Sequence, residues 1–390
     1  MLSQIDFNKI NYYLDPQIAK TANWEEVPAG VRKSFQSIGL LKAEKKHLAG
    51  LGAQVESEMI YHNIQKGLAK KGVIFCDLET AWQKYPGLVK KYFATIVPPS
   101  DNKFAALNSA FWSGGSFVYA PPKVKINFPL QAYFKISAQN FGQFERTLII
   151  ADRQSQIEYI EGCSSELKSK YSLHAGVVEL IALPGSKVRY ITLQNWSKNI
   201  LNLVTKRARA MADSRIDWID FNLGSQMTVK YPTIWLAGRG ASCRLLSLSK
   251  VGSGQYFDCG ARVYHLAPET RSYIESKSLS QGGGIAKYRG LVKIEPAAKN
   301  SKTKMSCRSL ILDAKSQSHT YPAMEIANRD VVAEHEAITS RLSAEQLFYL
   351  MSRGLSEKQA SRLIINGFAE SIIKELPLEY AVEMNRMLEE

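Results

Sequence analysis

The 390-residue sequence lacks the features of a membrane protein or a secreted protein. No apolar run approaches the roughly 20 residues that a membrane-spanning helix needs. The N-terminal stretch MLSQIDFNKINYYLD has neither the basic start nor the apolar core of a secretory signal. These absences predict a soluble cytoplasmic protein that does not associate with membranes.

Cysteine is scarce, and the few cysteines are not arranged in pairs. The chain has five, at positions 76, 163, 243, 259 and 307, and no CxxC spacing occurs among them. An odd number at wide spacing argues against both a disulfide framework and a zinc knuckle. We therefore expect free thiols in a reducing compartment, most of them acting as small buried apolar residues.

Acidic residues are outnumbered, with 36 Asp and Glu against 50 Lys and Arg, a formal net charge of +14. The basic residues are spread over the chain, in segments such as 42–47, 66–72 and 205–209. They are not accompanied by a ribonucleoprotein, KH or zinc-finger signature. The balance predicts an acidic protein partner rather than nucleic acid.

Complete catalytic motifs are also missing. His335-Glu336 begins an HExxH zinc motif, but Thr339 replaces the second histidine. The glycine-rich stretch QGGGIAKY (281–288) lacks the Lys-Ser/Thr pair of a phosphate-binding loop, and no GxSxG occurs. The sequence thus predicts neither a metalloprotease nor a nucleotide-hydrolysis site in this chain.

The first 95 residues have mainly helical patterns. In residues 56–72, apolar residues at 59, 60, 64 and 68 have helical spacing, and Gly72 is a plausible stop. A second helical pattern covers 77–94 and is interrupted by Pro86. The stretch VPPSD (97–101) marks a predicted boundary.

From about residue 105 to 337 the pattern changes to short runs rich in Val, Ile, Tyr and Thr, separated by turn residues. The runs include KVKINF, RTLIIAD, SQIEYIEG, VVELIALPG, KVRYITLQNW, RIDWIDFNLG and RGLVKIE. Helical segments are almost absent between them, which excludes a doubly wound α/β sheet. An antiparallel sandwich or barrel and a β-helix remain as alternatives, and the length of the region favours the β-helix.

After Ile338 the helical pattern returns. Ser343 to Gln346 and Ser356 to Gln359 both have the form of a capping box. Gly354 and Gly367 are the expected ends of the first two helices, and Pro377 opens a third. The apolar faces of these helices (Leu347, Phe348, Leu350; Leu363, Ile364; Tyr380, Met384, Leu388) suit either a cap on the β-region or a docking site.

The candidate functional residues are two cysteines and the residues of one acidic strand. Cys307 has Lys299, Lys302, Lys304 and Arg308 nearby, and positive neighbours favour the thiolate. Cys163 ends a predicted strand, where a thiol is more accessible than at mid-strand. For each, the alternative is a buried structural cysteine.

The acidic strand is VVAEHEAITS (331–340). On a strand, Glu334 and Glu336 share one face, and His335 lies on the other. Thiolate, carboxylate and imidazole together form a ligand set that iron accepts. The parity alone does not say which face meets Cys307.

At these residues the chain resembles the SufB family of iron–sulfur cluster scaffold proteins. The resemblance is carried by EGC (161–163), QNW (194–196), TKRA (205–208), HLAP (265–268), YRGLVKI (288–294), EHEA (334–337), EQLFYLMSRGLSE (345–357), NGF (366–368) and ELPLEYAVE (375–383). NKFAALNSAFWSGGSFVY (102–119) and GQFERTLIIAD (142–152) extend it towards the N-terminus. It runs from about residue 27 to the end of the chain.

The resemblance implies a mainly β fold, with a right-handed parallel β-helix core between α-helical N- and C-terminal domains. We expect these parts at 1–96, 97–337 and 338–390. It also implies a non-enzymatic scaffold that works with the ATPase SufC, docked on the C-terminal helices. A SufD-like subunit or a second copy of the chain would bind at the end of the β-helix, and a cysteine desulfurase or sulfur carrier would supply sulfur.

Particular residues acquire expected roles from the same resemblance. Cys163 is the sulfur acceptor, and Gln194 and Trp196 line the sulfur path, in agreement with their shared parity with Val188 and Tyr190. A transient cluster, 4Fe-4S or 2Fe-2S, is bound at Cys307, and Glu336, Glu334 and His335 lie beside it; Cys307 and Glu336 are the expected metal ligands. A flavin has no support in the sequence.

The chain departs from the family pattern at three places. After EGC it reads Ser164-Ser165-Glu166 where relatives usually have Thr-Ala-Pro, and Lys135 and Ser137 stand where many relatives carry Arg and Asn. The N-terminal region is also shorter. The intact Cys307 and EHE set nevertheless favours a SufB-like scaffold over a SufD-like structural subunit without a cluster, which stays open as the alternative. A β-helix enzyme acting on polysaccharide is ranked last.

Overall fold

The computed structural model describes residues 7–36, 48–165 and 172–389. Segment 42–47 and Glu166, named above, lie outside the described residues. The described helices are α1 (Ala29–Gln36), α2 (Lys66–Lys70), α3 (Leu78–Lys84), α4 (Pro86–Tyr92), α5 (Lys103–Phe111), α6 (Ala344–Ser352), α7 (Glu357–Ile373) and α8 (Leu378–Glu389). None of the described helices is long and apolar enough to cross a membrane.

Two long sheets form most of the molecule. The first has ten strands, β1 (Gly50–Val55), β2 (Glu58–Ile64), β5 (Leu130–Ile136), β8 (Gln156–Ser165), β11 (Lys187–Trp196), β13 (Arg215–Gly224), β16 (Ser242–Val251), β18 (Arg271–Ser280), β20 (Ser301–Ile311) and β22 (Val331–Arg341). Its order is β2-β1-β5-β8-β11-β13-β16-β18-β20-β22. Apart from β1 with β2, neighbouring strands are parallel.

The second sheet has twelve strands. They are β3 (Ile74–Asp77), β4 (Ser116–Ala120), β6 (Gly142–Gln143), β7 (Arg146–Ala151), β9 (Ser172–His174), β10 (Val177–Ala182), β12 (Ile200–Ala210), β14 (Met227–Lys230), β15 (Thr233–Leu236), β17 (Tyr256–His265), β19 (Ile285–Ile294) and β21 (Gln317–Ile326). The chain alternates between the sheets, so each coil stacks on the one before. This is a parallel β-helix, and the prediction of a mainly β fold with terminal helices is confirmed.

The interior of the β-helix is built from rows of residues in register. One row of the ten-stranded sheet runs through Tyr159, Tyr190, Trp218, Leu245, Ile274, Met305 and His335. Its first three rings lie against one another, with centroids 5.8 and 4.5 Å apart. All but the last member are fully buried, because alternate residues of each strand point into the lumen. This apolar row forms part of the buried core of the β-helix.

One corner of the β-helix requires left-handed backbone in successive coils. Gln154, Asp213, Glu269 and Asn300 have φ between 54° and 62° there, and glycine takes the same place in the intervening coils. Each of these residues donates its backbone N–H to a carbonyl of the next coil, as Asp213 does to Arg239 at 2.9 Å. The turns therefore stack as regularly as the strands.

The N-terminal region departs from the sequence prediction. A helix over 56–72 is wrong: residues 58–64 form β2, whose apolar residues pair with β1 and cover the first coil, and only α2 is helical. KVKINF is not a strand either, since prolines on both sides restrict the backbone and only Lys125 makes a bridge. The break at Pro86 is confirmed, because α3 ends at Lys84 and Pro86 begins α4.

The C-terminal helices pack on the outer face of the ten-stranded sheet. Ser343 and Ser356 cap α6 and α7 as predicted, and Gly354 follows α6 with a φ of 93°. The predicted end at Gly367 is wrong, because α7 continues to Ile373, whose side chain is buried against the sheet. Burial of its last turn offsets the cost of a glycine inside the helix. The strand β22 also runs beyond residue 337, to Arg341.

Candidate functional site

A second interior row is polar and connects the two halves of the β-helix. It runs through Glu161, Thr192, Asp220, Ser247, Ser276, Cys307 and Ala337, in register on successive strands. Two residues further along each strand a second polar row contains Cys163, Gln194, Asn222, Ser249, Ser278, Ser309 and Thr339. From β8 to β20 there are five strand spacings, which amount to roughly 24 Å.

Cys163 lies in a chamber of buried charged and polar groups. Its thiol lies 4.0 Å from Oε1 of Glu161, the residue two positions earlier on the same face of β8. The ammonium of Lys206, which points in from β12, donates to the same Glu161 oxygen at 3.0 Å and to the Tyr190 hydroxyl at 2.8 Å. Burial and the carboxylate of Glu161 raise the pKa of the Cys163 thiol well above its ordinary value.

Further groups complete this closed chamber, which we define as Cys163, Glu161, Lys206, Glu145 and His174. Nε2 of His174 lies 3.5 Å from Oε1 of Glu145. Burial raises the pKa of Glu145 and lowers that of His174, and both shifts favour the uncharged forms. The closed chamber therefore contains one balanced ion pair, Glu161 with Lys206, and otherwise neutral groups.

The two residues predicted on the sulfur path border the closed chamber. Gln194 is the in-register neighbour of Cys163, and its Oε1 accepts from Nδ2 of Asn202 at 2.9 Å and from Nζ of Lys230 at 3.0 Å. The Trp196 ring lies 4.6 Å from that of His174, and its Nε1 has no hydrogen-bond partner among the described residues. Both side chains point into the lumen, as their parity predicted.

The lumen beyond Gln194 repeats the combination of lysine, carboxylate and thiol. Lys230 pairs with Asp220 at 2.7 Å, and both are buried. Cys259 is the in-register neighbour of Lys230 on β17. Burial raises the pKa of Cys259 to about 12, and the Lys230 ammonium opposes that rise. The polar interior thus continues from Cys163 towards Cys307.

Cys307 lies on β20, one strand from the end of the sheet, and is buried. Burial raises the pKa of its thiol to about 12, and the Tyr288 hydroxyl, which lies against the thiol, opposes the rise. That hydroxyl makes no hydrogen bond among the described residues. The basic neighbours Lys302, Lys304 and Arg308 point the opposite way, because alternate residues of a strand face opposite sides. The basic setting expected for this thiol is therefore outside the lumen.

The acidic strand meets Cys307 with its histidine face. Cys307 pairs with Ala337 and Met305 with His335, so His335 shares the inward face with the thiol. Glu334 and Glu336 lie on the outer face, 3.5 Å from Nζ of Lys304 and 3.2 Å from a guanidinium nitrogen of Arg308.

Glu336 also accepts a hydrogen bond from Ser306 at 3.1 Å. The bonds from Arg308 and Ser306 lower the pKa of the Glu336 carboxyl. In this conformation the structure does not bring the two glutamates to Cys307. Within the described residues, no group of three or more His, Cys, Asp or Glu side chains is arranged to hold a metal ion.

The last coil, β20 to β22, leaves both sheets with an uncovered strand, and we call this part of the molecule the open edge. The strands β21 and β22 terminate their sheets in the described chain, and each has a free backbone edge. Large apolar residues are exposed on them: Tyr321, Ile326, Val332 and Ile338. A long unpaired edge with apolar side chains favours pairing with another chain.

The C-terminal helices present a second apolar surface. Tyr380, Met384 and Leu388 are buried against the sheet, but Phe348 and Leu378 are both 74% exposed. A groove between α6 and α7 is lined by Tyr349, Leu350, Leu363, Ile364 and Gly367. Gly367, expected as a helix end, instead leaves this groove open, because no atom outside the helix lies within 4 Å of where its side chain would be.

Sequence reasoning missed the roles of Glu161 and Lys206. Both lie in stretches that were singled out, EGC and TKRA, but no chemistry was assigned to them. Strand parity could have predicted part of this arrangement, since Glu161 lies two residues before Cys163 and therefore on the same face of the strand. Lys206 lies on the other sheet, and its approach to Glu161 follows only from the folded coil.

The fold and site define a parallel β-helix protein with buried thiols along a polar lumen. A family model described as "SUF system FeS cluster assembly, SufBD core domain" matches residues 134–368, and one described as "SufBD protein N-terminal region" matches 48–132. The chain belongs to the SufBD family of iron–sulfur cluster assembly proteins.

Relatives agree over almost the whole chain. Proteins of Staphylococcus aureus strains MRSA252 and USA300 and of Staphylococcus saprophyticus, each named an iron–sulfur cluster assembly SufBD family protein, are 50% identical to it over 387 residues. The similarity covers 99% of this chain and 83% of each relative. The recognition of the family from its motifs is confirmed; the comparisons do not distinguish SufB from SufD.

Proposed function

We propose that the protein is a SufB-like scaffold on which an iron–sulfur cluster is built and passed on. The observation that carries this proposal is the polar lumen, which connects Cys163 and Cys307 through two in-register rows of buried polar residues. A purely structural β-helix gains nothing from such rows, because buried polar groups cost free energy unless they are satisfied. The cluster is the cargo of the scaffold rather than a resident cofactor.

Sulfur enters at Cys163 as a persulfide supplied by a cysteine desulfurase or a sulfur carrier. The closed chamber around it suits this step, because Lys206 provides positive charge where a sulfur anion forms. Gln194 and Trp196 border the path that leads away from Cys163. The paired charges of Lys230 and Asp220 continue that path in the direction of Cys307.

The cluster is assembled at Cys307. Of the three ionisable residues of the acidic strand, His335 is the best candidate for a ligand there, since it shares the inward face with the thiol. Glu336 and Glu334 act as ligands only after β22 moves. A one-residue shift of register exchanges the two faces of a strand, and a terminal strand shifts more easily than one held on both sides. The cluster type, 4Fe-4S or 2Fe-2S, is set by the assembled ligands.

Two surfaces are proposed for protein partners. The exposed apolar face of the C-terminal helical region, residues 338–390, docks the ATPase SufC, which supplies the ATP hydrolysis that the scaffold lacks. The open edge pairs with a SufD-like subunit or a second copy of this chain, which covers Ile326, Val332 and Ile338. We place the assembly in the cytoplasm and propose no nucleic-acid partner.

The test is anaerobic cluster reconstitution of the full chain with ferrous iron and a persulfide donor. Cys307→Ala is expected to give little cluster absorbance and little acid-labile sulfide. Cys243→Ala is the matched control, since Cys243 is also a buried thiol of the lumen but lies on strand β16 outside both polar rows. Normal loading of the Cys307→Ala protein would contradict the proposal.

A SufD-like structural subunit is the second candidate, and one observation favours it. Both glutamates of the acidic strand are engaged by Lys304 and Arg308 on the outer face, away from Cys307. In that case the isolated chain binds no iron, and Glu336→Gln changes neither iron nor sulfide content when a partner is added.

A further inference from the structure

Cys163 is a buried thiol on the proposed sulfur path, and groups from three other strands and from the residue before β7 surround it. The titratable groups that face it are Glu161 and Tyr159 of its own strand, Tyr190 of β11, Lys206 of β12, Lys230 of β14, and Glu145, which immediately precedes β7. Only Glu161 and Lys206 combine a charge with direct contact to the thiol or to its hydrogen-bond acceptor.

The contacts form a line of three groups. The Cys163 thiol donates towards Oε1 of Glu161 at 4.0 Å, and Nζ of Lys206 donates to the same oxygen at 3.0 Å. The side chains of Glu161 and Lys206 are 0% and 1% exposed. We call Cys163, Glu161 and Lys206 the trio. At rest its net charge is zero, because the thiol is neutral and the carboxylate and ammonium charges cancel. In a buried site, a change in that net charge is expensive.

We propose that Glu161 and Lys206 control the ionisation of Cys163, with Glu161 accepting the thiol proton and Lys206 then pairing with the thiolate. The S–H bond breaks, an O–H bond forms on Glu161, and the electron pair stays on sulfur. The trio has zero net charge before and after, so the thiolate forms without exporting a charge from the lumen. Lys206 changes only its partner, from carboxylate to thiolate.

The same trio completes persulfide transfer. The Cys163 thiolate attacks the outer sulfur of the donor persulfide, the donor's S–S bond breaks, and a new S–S bond forms on Cys163. The donor's inner sulfur leaves as a thiolate, and Glu161 then protonates it with the proton that came from Cys163. One S–S bond is lost and one is gained, so no oxidant or reductant is needed.

The two charged residues act on Cys163 with opposite signs. The Glu161 carboxylate opposes a thiolate beside it, and the Lys206 ammonium favours one. With glutamine at position 161 the thiol proton leaves for solvent instead, no carboxylate at that position repels the thiolate, and Lys206 still attracts it, so the thiolate is stabilised at equilibrium. Without the ammonium, the carboxylate repels the thiolate unopposed.

The test measures the pH profile of alkylation of Cys163 by iodoacetamide in the full chain, read peptide by peptide with mass spectrometry. Glu161→Gln is expected to move the profile to lower pH and to raise the rate at pH 7 by about tenfold or more, as one pK unit of thiolate fraction requires. Lys206→Met is expected to lower the rate by a similar factor, and Lys206→Arg to restore it.

Two controls separate ionisation from opening of the lumen. Cys243, a buried thiol without a lysine neighbour, reports global opening in the same digest, so rates are taken relative to it. Glu158→Gln changes a carboxylate of the same strand that faces outward to Arg189, and it is expected to leave the profile unchanged. Slower relative alkylation in Glu161→Gln, or an unchanged profile in Lys206→Met, would overturn the proposal.

This inference rests on the proposed role of Cys163 as sulfur acceptor, but its test uses neither sulfur nor iron. Opposite shifts in the two variants support control of the thiol even if Cys307→Ala loads a cluster normally. Unshifted profiles reject it and leave the scaffold proposal standing.

Discussion

The closed chamber and the open edge each contain a buried thiol, but the groups that surround the two thiols differ. In the closed chamber Cys163 is surrounded by coils on both sides, and charged partners from its own chain reach it directly. At the open edge Cys307 has a single further strand beside it, and its inward neighbours, Tyr288, Met305 and His335, include no carboxylate or lysine. The thiol pKa is raised by burial in both places.

The difference indicates where each thiol obtains the groups that its chemistry needs. Cys163 has a proton acceptor and a counter-ion built into the fold, so its reactivity is a property of the single chain. At Cys307 the imidazole of His335 shares the inward face, but the carboxylates of Glu334 and Glu336 face away and no counter-ion is positioned beside the thiol among the described residues. If a cluster is assembled at Cys307, as proposed, a movement of β22 or a second chain on the open edge would have to supply the remaining ligands.

The largest expected effect on the free energy of unfolding tests whether the enclosed coils are packed more tightly than the open edge. Trp218, in the middle of the apolar row, is fully buried against Tyr190. Trp218→Ala should lower the free energy of unfolding by about 3–5 kcal/mol, because a large cavity remains in a stack fixed on both sides. Ile338→Ala on β22, where the side chain is 43% exposed, should cost less than about 1 kcal/mol. Urea unfolding of both variants measures this; equal losses would contradict the comparison.

Much of this contrast was predictable from the sequence, because strand parity is local. Glu334 and Glu336 on one face and His335 on the other followed from a period of two, and so did the inward position of Gln194 and Trp196. The β-helix itself was favoured by the length of uninterrupted strand pattern.

The rest depends on contacts that are distant in sequence. Parity allows two assignments of β22, and only its register with β20 places His335, rather than Glu336, on the face of Cys307. Residues 58–64 satisfy helical spacing as well as strand spacing, and pairing with β1 decides between them. Lys206 reaches Glu161 across the lumen, from 45 residues away in the chain.

A second prediction uses pH to probe the enclosed interior. His265 is buried between Thr270 and Ser272, and burial lowers its pKa to about 4. Its contribution to stability is complete above the unfolded pKa of about 6.5 and is lost as the pH falls towards the folded value. At pH 5 the loss should be about 2 kcal/mol, since 1.5 units separate that pH from the unfolded pKa.

The measurement is the difference in unfolding free energy between pH 7.5 and pH 5 for the wild type and for His265→Gln. The glutamine retains polar contact with the two hydroxyls but does not titrate, so the variant should lose about 2 kcal/mol less than the wild type over this interval. An identical loss in both proteins would show that other groups control the acid sensitivity of the interior.

A third, smaller effect concerns the attachment of α8 beside the closed chamber. The hydroxyl of Tyr380 lies 3.0 Å from that of Tyr133, which also accepts from Nε2 of Gln131 at 2.6 Å. Tyr380→Phe removes one buried hydrogen bond and should cost about 1 kcal/mol. Tyr349→Phe on α6, whose side chain is exposed, is the control and should leave the unfolding free energy unchanged. Equal costs would mean that α6 and α8 are equally well anchored.

The smallest expected effect on stability concerns Glu336 at the open edge. It distinguishes a structural role of this residue from its proposed role as a ligand. Glu336 is bound by Arg308 and Ser306 on the outer surface, in contact with solvent. Exposed ion pairs of this kind often contribute nothing measurable, so Glu336→Gln should leave the melting temperature unchanged. If β22 turns Glu336 towards Cys307 during assembly, the same variant should bind less iron in the reconstitution described above. Full iron loading at an unchanged melting temperature would instead assign the inward face, and with it His335, as the part of the acidic strand that meets the cluster.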